Sequence, residues 1–505
     1  MTPDRTAVRR PARAATVARV AALGGDRAWL LAAAATLTLG AGAVAWQAPV
    51  AGTVWWHVAD GEVLRRGLSL AHAPFVAGRP APFDLRGWLW DWLLAAVARA
   101  GGAGGLALVG AGAGLLLGAV LSWAAVARAA PVRVHPWALV GAGALGLAGM
   151  AGFLGGRDTI WLPIWFAALL GLLAQARAGR RWALAGVPVV LVLWANTQGD
   201  VVLGVLTVAL EVLLSRRRAP AGGAPLPWWL ALTALIAPAI GPHGVLWVEG
   251  IPLSFGQFGE PAALGGWGSP DFHPLARRVT EVAAVGLLAS YALVGRRARA
   301  VDAWPAVGAV VLALLFSRYV PLLMVLVAVQ APRHLSLAVR SLPDAWRAGP
   351  GGPSLRRWAA VPVLAAALLL VGAGWRVERA GGPARAVARA LPVAAATWLG
   401  RHPVAGAWLT SADYGSYLAS RFPDGGHLLC LGDPVPLAGA ALDRCGVFAV
   451  LGPSTGRLLR RAGVRLAVLP RAAPEAGLLQ AWGWRVAASA GPALVLRPPP
   501  GGRAA

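Results

Sequence analysis

The chain is 505 residues long, 57% hydrophobic and only 13% charged, with a mean hydropathy of +0.62. Soluble globular domains carry about a quarter charged residues, so an ordinary soluble protein is excluded, and so much apolar surface excludes a disordered one. The 46 basic residues outnumber 21 acidic ones for a net charge of +25, with a pI near 11.8, and every one of the 46 is an arginine. There is no lysine, a single asparagine (Asn196) and five isoleucines, a bias that reads as a GC-rich bacterial genome. Such a charge points to nucleic acid unless the arginines sit in the loops that orient membrane spans.

Their places along the chain decide between the two. A span of the hydrocarbon core needs about 20 apolar residues, fewer if tilted or partial. Eleven runs approach that length, at 28–49, 103–127, 136–154, 159–175, 182–196, 200–215, 226–245, 279–295, 303–316, 319–332 and 358–375. The basic N-terminus, 1–27, holds Arg5, Arg9, Arg10, Arg13, Arg19 and Arg27, which places it inside by the positive-inside rule. Counting loops alternately from there, Arg128 and Arg133, Arg177 to Arg181, Arg216 to Arg218, Arg296 to Arg299 and Arg333 to Arg357 all fall inside as well. The pattern holds across all eleven runs, so the charge is an orientation signal and nucleic acid is no partner. Ala43-Val44-Ala45 resembles a processing site, but the long basic lead and nearly full-length apolar run favour an uncleaved anchor.

The transmembrane domain is therefore expected over 28–375, with outer loops at 50–102 and 246–277. The outer face also receives short turns at Arg157-Asp158, at 196–200 and at Arg318. His57, Asp60, Asp84, Asp91, Asp158, Asp200, Glu249, Glu260, Asp271 and His273 gather on that face, and polar groups near membrane depth are costly unless they line a cavity or do chemistry. After 376 the pattern changes. The turn Pro423-Asp424-Gly425-Gly426, short apolar runs at 428–431, 447–451, 464–469 and 493–496, and a helical stretch at 385–400 suggest a small extracytoplasmic α/β domain over 376–505. Cys430 and Cys445 both lie there; an oxidising compartment permits a bridge, and two buried thiols fit equally well.

The first outer loop reads Thr53-Val54-Trp55-Trp56-His57-Val58-Ala59-Asp60-Gly61-Glu62, then Ala73-Pro74-Phe75 and Gly87-Trp88-Leu89. Here the chain resembles bacterial polytopic membrane proteins similar to the GT-C glycosyltransferases, which move sugars from polyprenyl-phosphate donors at the outer face of the cytoplasmic membrane. That family's first loop reads roughly D-x-W-W-H-x-x-x-G, followed by a Pro-Phe segment and E-W-L. Further on, Leu193-Trp194-Ala195-Asn196-Thr197-Gln198-Gly199 resembles its L-W-A-N-x-H-G, and Trp267-Gly268-Ser269-Pro270-Asp271-Phe272-His273 its E-W-x-S-P-D-F-H. Arg157, Ala237-Pro238-Ala239-Ile240-Gly241, Arg318-Tyr319 with Pro321, and the tail's Asp413-Tyr414-Gly415-Ser416-Tyr417-Leu418 extend the likeness over 28–500. Several of the family's ionisable positions are neutral: Thr53 stands for its Asp, Gly87 for the Glu of E-W-L, Gln198 for His, Gly266 for Glu and Ala237 for Asn.

The resemblance implies an α-helical polytopic membrane protein of about eleven spans with a small C-terminal α/β domain, acting on a polyprenyl-phosphate-linked sugar. Sugar transfer needs a base for the acceptor proton and a cation for the departing phosphate. Asp60 and Asp84 are the candidate catalytic carboxylates, set against a helix-start role and an N-cap role. Arg157 and Arg318 are the candidate phosphate clamps, set against snorkelling or an Arg157–Asp158 pair. His57, Asn196, Gln198, Asp271 and His273 complete the candidate binding set, each set against structural hydrogen bonding. A divalent metal fits the chemistry, but no H-x-x-x-H or H-x-H spacing marks ligands for one, and none is assigned. Membrane lipid and lipid-linked sugar are the expected partners; the sequence names no protein partner. Two other functions stand beside the enzyme: a catalytically silent scaffold of the same fold that binds a lipid or a protein, and a transporter or flippase of lipid-linked glycans, for which broken spans and repeats would be the sign.

Overall fold

A computed structural model of the chain describes residues 10–67, 85–217, 224–249, 268–339, 360–379, 381–423, 427–428 and 455–499. Each of the eleven apolar runs holds a helix. They are α1 (Arg10–Ala45), α3 (Trp88–Ala129), α4 (Pro136–Met150), α5 (Trp161–Arg177), α6 (Arg181–Thr197), α7 (Val201–Arg217), α8 (Trp229–Ile236), α9 (Leu275–Val294), α10 (Ala300–Leu315), α11 (Val320–Val339) and α12 (Ala360–Arg379). Among the described residues, six helical stretches are long and apolar enough to cross a membrane: Arg27–Ala45, Trp88–Ala129, Pro136–Phe153, Asp158–Arg177, Ser317–Ala338 and Val361–Arg379. Shorter apolar helices, including α6 and α10, pack among them. One further helix, α2 (Gly52–Arg66), lies in the first loop and ends on Gly67, whose φ of 62° is the left-handed C-cap glycine supplies.

α3 spans 42 residues, about 63 Å at 1.5 Å per residue, twice the hydrocarbon thickness. Its break is at Gly102, with φ 54° and ψ −145°, a conformation that essentially only glycine tolerates. Before the break α3 belongs to the loop and covers α2; after it, α3 enters the bundle. There Gly110, Gly114 and Gly118 form a small-residue stripe. A Cβ on Gly114 would stand 2.5 Å from the carbonyl of Ala41, and one on Gly118 2.6 Å from that of Leu37. α1 and α3 thus meet backbone to backbone, where lipid offers no hydrophobic drive and close packing must hold helices together. α11 is buried almost throughout and forms the middle of the bundle, whereas Leu364, Leu368, Leu369 and Val371 of α12 are exposed, as an acyl-facing helix requires.

Beyond α12 come α13 (Gly382–Ala390), α14 (Val393–Arg401), β1 (Ala407–Thr410), α15 (Ala412–Arg421), β2 (His427–Leu428), α16 (Thr455–Arg461), β3 (Val464–Pro470), α17 (Pro474–Ala481), β4 (Arg485–Ala490) and β5 (Ala493–Arg497). The sheet order is β2-β1-β3-β5-β4, with β1 parallel to β2 and β3, and β5 antiparallel to β3 and β4. The expected runs at 464–469 and 493–496 are β3 and β5. The helix expected over 385–400 is two helices, because Pro392 lacks the N–H and φ freedom to continue one. The 447–451 run, Cys430 and Cys445 lie outside the described residues.

One apolar cluster joins this unit to the first loop, with Val54, Trp55, Trp56 and Val58 of α2 packed against Tyr414, Tyr417 and Leu418 of α15. The Trp55 and Tyr417 rings meet edge to face at 4.9 Å, and the Gly52 amide donates to Asp413 Oδ1 at 2.9 Å. α2 is therefore clamped between the C-terminal unit and α3, and that clamp fixes the direction of His57.

Candidate functional site

His57 stands on α2 between two carboxylates that come from different elements. Its Nδ1 lies 2.6 Å from Asp91 Oδ1, on the loop part of α3, and its Nε2 lies 3.5 Å from Asp158 Oδ1, in the turn that starts α5. Gly61 makes the first contact feasible. A Cβ there would collide with the backbone carbonyl of Asp91, so only glycine lets α2 lie against α3 at this point. Burial opposes the imidazolium, yet Asp91 and Asp158 together draw the His57 pKa well above the ordinary histidine range, and the ring is charged at neutral pH.

A second pair adjoins the first. Arg318 Nη2 lies 2.7 Å from Asp200 Oδ2, and the Arg318 charge also acts on Asp158. Asp200 is held from three sides: Gln198 Nε2 donates at 2.5 Å, Tyr319 OH at 3.4 Å, and Arg318 as above. Gln198 in turn accepts from Trp194 Nε1 at 2.9 Å. Asp158, His57, Arg318 and Asp200 therefore form one charged row, with Asp91 behind His57. Asp158 is the accessible carboxylate of the row, its side chain 29% exposed against 2% for Asp91. Tryptophan indoles border it, Trp90 edge-on to Trp161 at 5.2 Å and Trp161 stacked on Trp165 at 5.3 Å. Among the described residues the indole N–H groups of Trp90 and Trp161 and the Thr53 hydroxyl are buried without a hydrogen-bond partner.

The other candidate residues are distributed as follows. Asp60 is buried on α2, one turn past His57, and the carboxylates at the His57 ring nitrogens are Asp91 and Asp158 instead. Asp84 lies outside the described residues. Arg157 turns back on its own loop, donating to the Gly152 carbonyl at 3.1 Å; it forms neither the Asp158 pair nor a partner for Arg318 across the site. Asn196 is consumed by structure: its amide donates to the Val192 and Ile240 carbonyls at 2.7 and 2.8 Å, and its oxygen accepts from Trp88 Nε1 at 2.5 Å. Asp271 accepts from the His273 amide and ring at 3.0 and 2.7 Å, a local turn in which both side chains are exposed. Asp91 and Asp158 sit at opposite nitrogens of one ring, so the three do not converge on a point, and among the described residues no group of three His, Cys, Asp or Glu forms a metal cluster.

Asp91 had a sequence signal. Asp91-Trp92-Leu93 repeats the acidic-Trp-Leu order of the E-W-L element four residues past Gly87. Asp158, Asp200 and Tyr319 each adjoin or closely follow a residue already singled out, and their joining into one row comes from the helix packing.

No family model matches the sequence, and no curated protein matches it. Solved structures do match. The archaeal oligosaccharyltransferase AglB from Archaeoglobus fulgidus, in complex with an inhibitory peptide and a dolichol-phosphate, superposes with a TM-score of 0.57 at 13% identity, covering 88% of this chain and 69% of that one. The Archaeoglobus fulgidus oligosaccharyltransferase tethered to an acceptor peptide gives 0.53 at 13% identity over the same shares. ArnT from Cupriavidus metallidurans bound to undecaprenyl phosphate gives 0.48 at 15% identity, covering 92% of this chain and 97% of that one. At such identities the likeness is one of fold, and it coincides with the resemblance carried by the Trp-Trp-His and Ser-Pro-Asp-Phe-His elements. The chain is a multi-pass membrane protein of GT-C-like fold, with a small C-terminal α/β unit docked on its first loop.

Proposed function

We propose that this chain is a membrane glycosyltransferase that takes a sugar from a polyprenyl-phosphate donor at the outer face of the bacterial cytoplasmic membrane. The observation that carries the reading is the charged row in which His57 lies between Asp91 and Asp158 with Arg318 alongside. The acceptor's nucleophile attacks the anomeric carbon, the bond from that carbon to the donor phosphate breaks, and the acceptor proton goes to Asp158. Asp158 is the base because it is the carboxylate an acceptor can reach. Arg318 meets the negative charge left on the lipid phosphate, a task suited to a guanidinium. His57 and Asp91 position Asp158, and the unpartnered indole N–H groups of Trp90 and Trp161 offer donors to sugar oxygens. The fold's solved likeness holds a dolichol-phosphate, which supports a lipid phosphate as the donor's carrier.

The test is turnover of polyprenyl-phosphate sugars by the purified chain in lipid. Asp158→Asn is expected to lower kcat by about 10²–10⁴-fold, the usual contribution of a positioned base, while Asp60→Asn keeps most activity. Unchanged turnover in Asp158→Asn removes that carboxylate from the mechanism. One observation favours a second reading: every carboxylate of the row already has a cationic or amide partner within the chain, as in a lipid-binding scaffold. Tight binding of polyprenyl phosphate without turnover of any donor sugar would decide for it.

A further inference from the structure

A second charged cluster lies at the other end of the same helices. Asp91 opens α3 and Arg128 closes it; Asp158 precedes α5 and Arg177 ends it; Asp200 precedes α7, which carries Glu211; Arg318 precedes α11, which carries Arg333. Fifteen residues from Arg318 to Arg333 and nineteen from Asp158 to Arg177 correspond to about 22–28 Å of helix, close to the hydrocarbon thickness. The two clusters thus belong to opposite membrane interfaces.

In this second cluster Arg128 pairs with Glu211 at 2.5 Å and with Asp302 at 2.7 Å, and Arg177 pairs with Glu211 at 3.0 Å. Arg299 donates to the carbonyls of Arg128 and Ala130 at 3.0 and 2.6 Å. Asp302 faces all four guanidiniums, those of Arg128, Arg177, Arg299 and Arg333. Among the described residues four permanent cations therefore meet two carboxylates. Arg333 donates to the Arg297 carbonyl at 3.3 Å. Among the described residues its Nε and Nη1 and Arg128 Nη1 are buried with no hydrogen-bond partner, on residues only 6% and 1% exposed. An arginine cannot shed its proton to escape this, and a buried cation without a counter-ion costs several kcal/mol. The excess charge and the unused N–H donors of the two arginines are matched by one kind of ligand, an oxyanion with several acceptor oxygens.

We propose that this cluster binds a phosphate oxyanion, either the headgroup phosphate of an anionic phospholipid or free phosphate, through Arg333 and Arg128. Basic pockets between helices at an interface have this use in general. The site is separate from the row around His57 and stands whether or not that row transfers sugar.

The experiment compares the unfolding temperature of the full chain in nanodiscs of phosphatidylcholine alone and of phosphatidylcholine with phosphatidylglycerol, and in the former with added phosphate against chloride at equal ionic strength. Ligand bound to the native state raises the transition by mass action, and a rise of a few degrees is expected. A rise with phosphatidylglycerol alone identifies a lipid headgroup; a rise with inorganic phosphate as well identifies the free anion; either sustains the site. Arg333→Gln is expected to be as stable as the wild type or more stable in phosphatidylcholine, since it removes an unpaired buried cation, and to lose the ligand response. Arg333→Lys keeps the charge without the planar fork and should respond weakly. The proposal is overturned if neither ligand moves the wild-type transition. It is equally overturned if both Arg333 variants respond as the wild type does.

Discussion

The charge on His57 exists because two carboxylates hold it against the cost of burial, which makes the stability of the site depend on pH with a definite sign. The unfolded histidine titrates near 6.5 and the folded one well above. The folded state therefore binds the extra proton over that interval, and stability falls as pH rises through it. Below about pH 6.5 the stabilisation is complete. Denaturant midpoints of the wild type should decline from neutral to alkaline pH, and those of His57→Gln should not share this decline. Parallel curves for the two proteins would mean that His57 is neutral in the fold. His57→Gln should also be less stable at pH 6, by about 1–3 kcal/mol, because the charge-assisted contact at 2.6 Å to the buried Asp91 carboxylate is lost. At this scale the sequence showed each group's kind, but not its company. His57 and Asp91 are 34 residues apart, and Asp200 and Arg318 are 118 apart. No periodicity links them, and the lone local signal, Asp91-Trp92-Leu93, needed a shift of four residues to be seen.

At the scale of elements the readable property was local, and so was its limit. Apolar length announces a helix wherever lipid or other helices cover it, which is why all eleven runs hold one. β1 has only four residues and β4 is an exposed edge whose side chains follow no strict alternation, so neither produced a pattern. The joint between α2 and α3 was invisible for another reason: it depends on the absence of a side chain. Gly61→Ala drives a methyl group into the Asp91 carbonyl, which is backbone and cannot swing aside. The expected result is a loss of about 1–3 kcal/mol from overpacking together with loss of the high His57 pKa, readable from the titration of its ring protons by NMR. Gly104→Ala on the same α3 meets open space and should be neutral or raise stability by up to about 1 kcal/mol through helix propensity. Equal outcomes at the two glycines would show that the α2–α3 approach is looser than this geometry.

The whole molecule is organised by two charged networks at the two ends of one bundle, and the arginine excess has a different part at each. Near His57 the Arg318 guanidinium sits in a row with three carboxylates and an imidazolium. At the opposite end four guanidiniums meet two carboxylates, and the loops there, with Arg133, Arg180, Arg181 and Arg297, add more positive charge. The orientation proposed for the chain follows the positive-inside rule: that end would face the cytoplasm, and the His57 row, α2 and the C-terminal sheet would face outward, as the proposed donor chemistry requires. This orientation is tested in a chain whose Cys430 and Cys445 have been replaced. Single cysteines at Arg66, at the exposed end of α2, and at Arg471, beside the sheet, should react with a membrane-impermeant maleimide in intact cells. A cysteine at Arg180, in the α5–α6 turn, should react only after permeabilisation. Labelling of all three from one side would break the alternation on which the orientation rests. Labelling of Arg180 alone in intact cells would invert it, leaving the helices in place while moving the proposed sugar transfer to the cytoplasmic face.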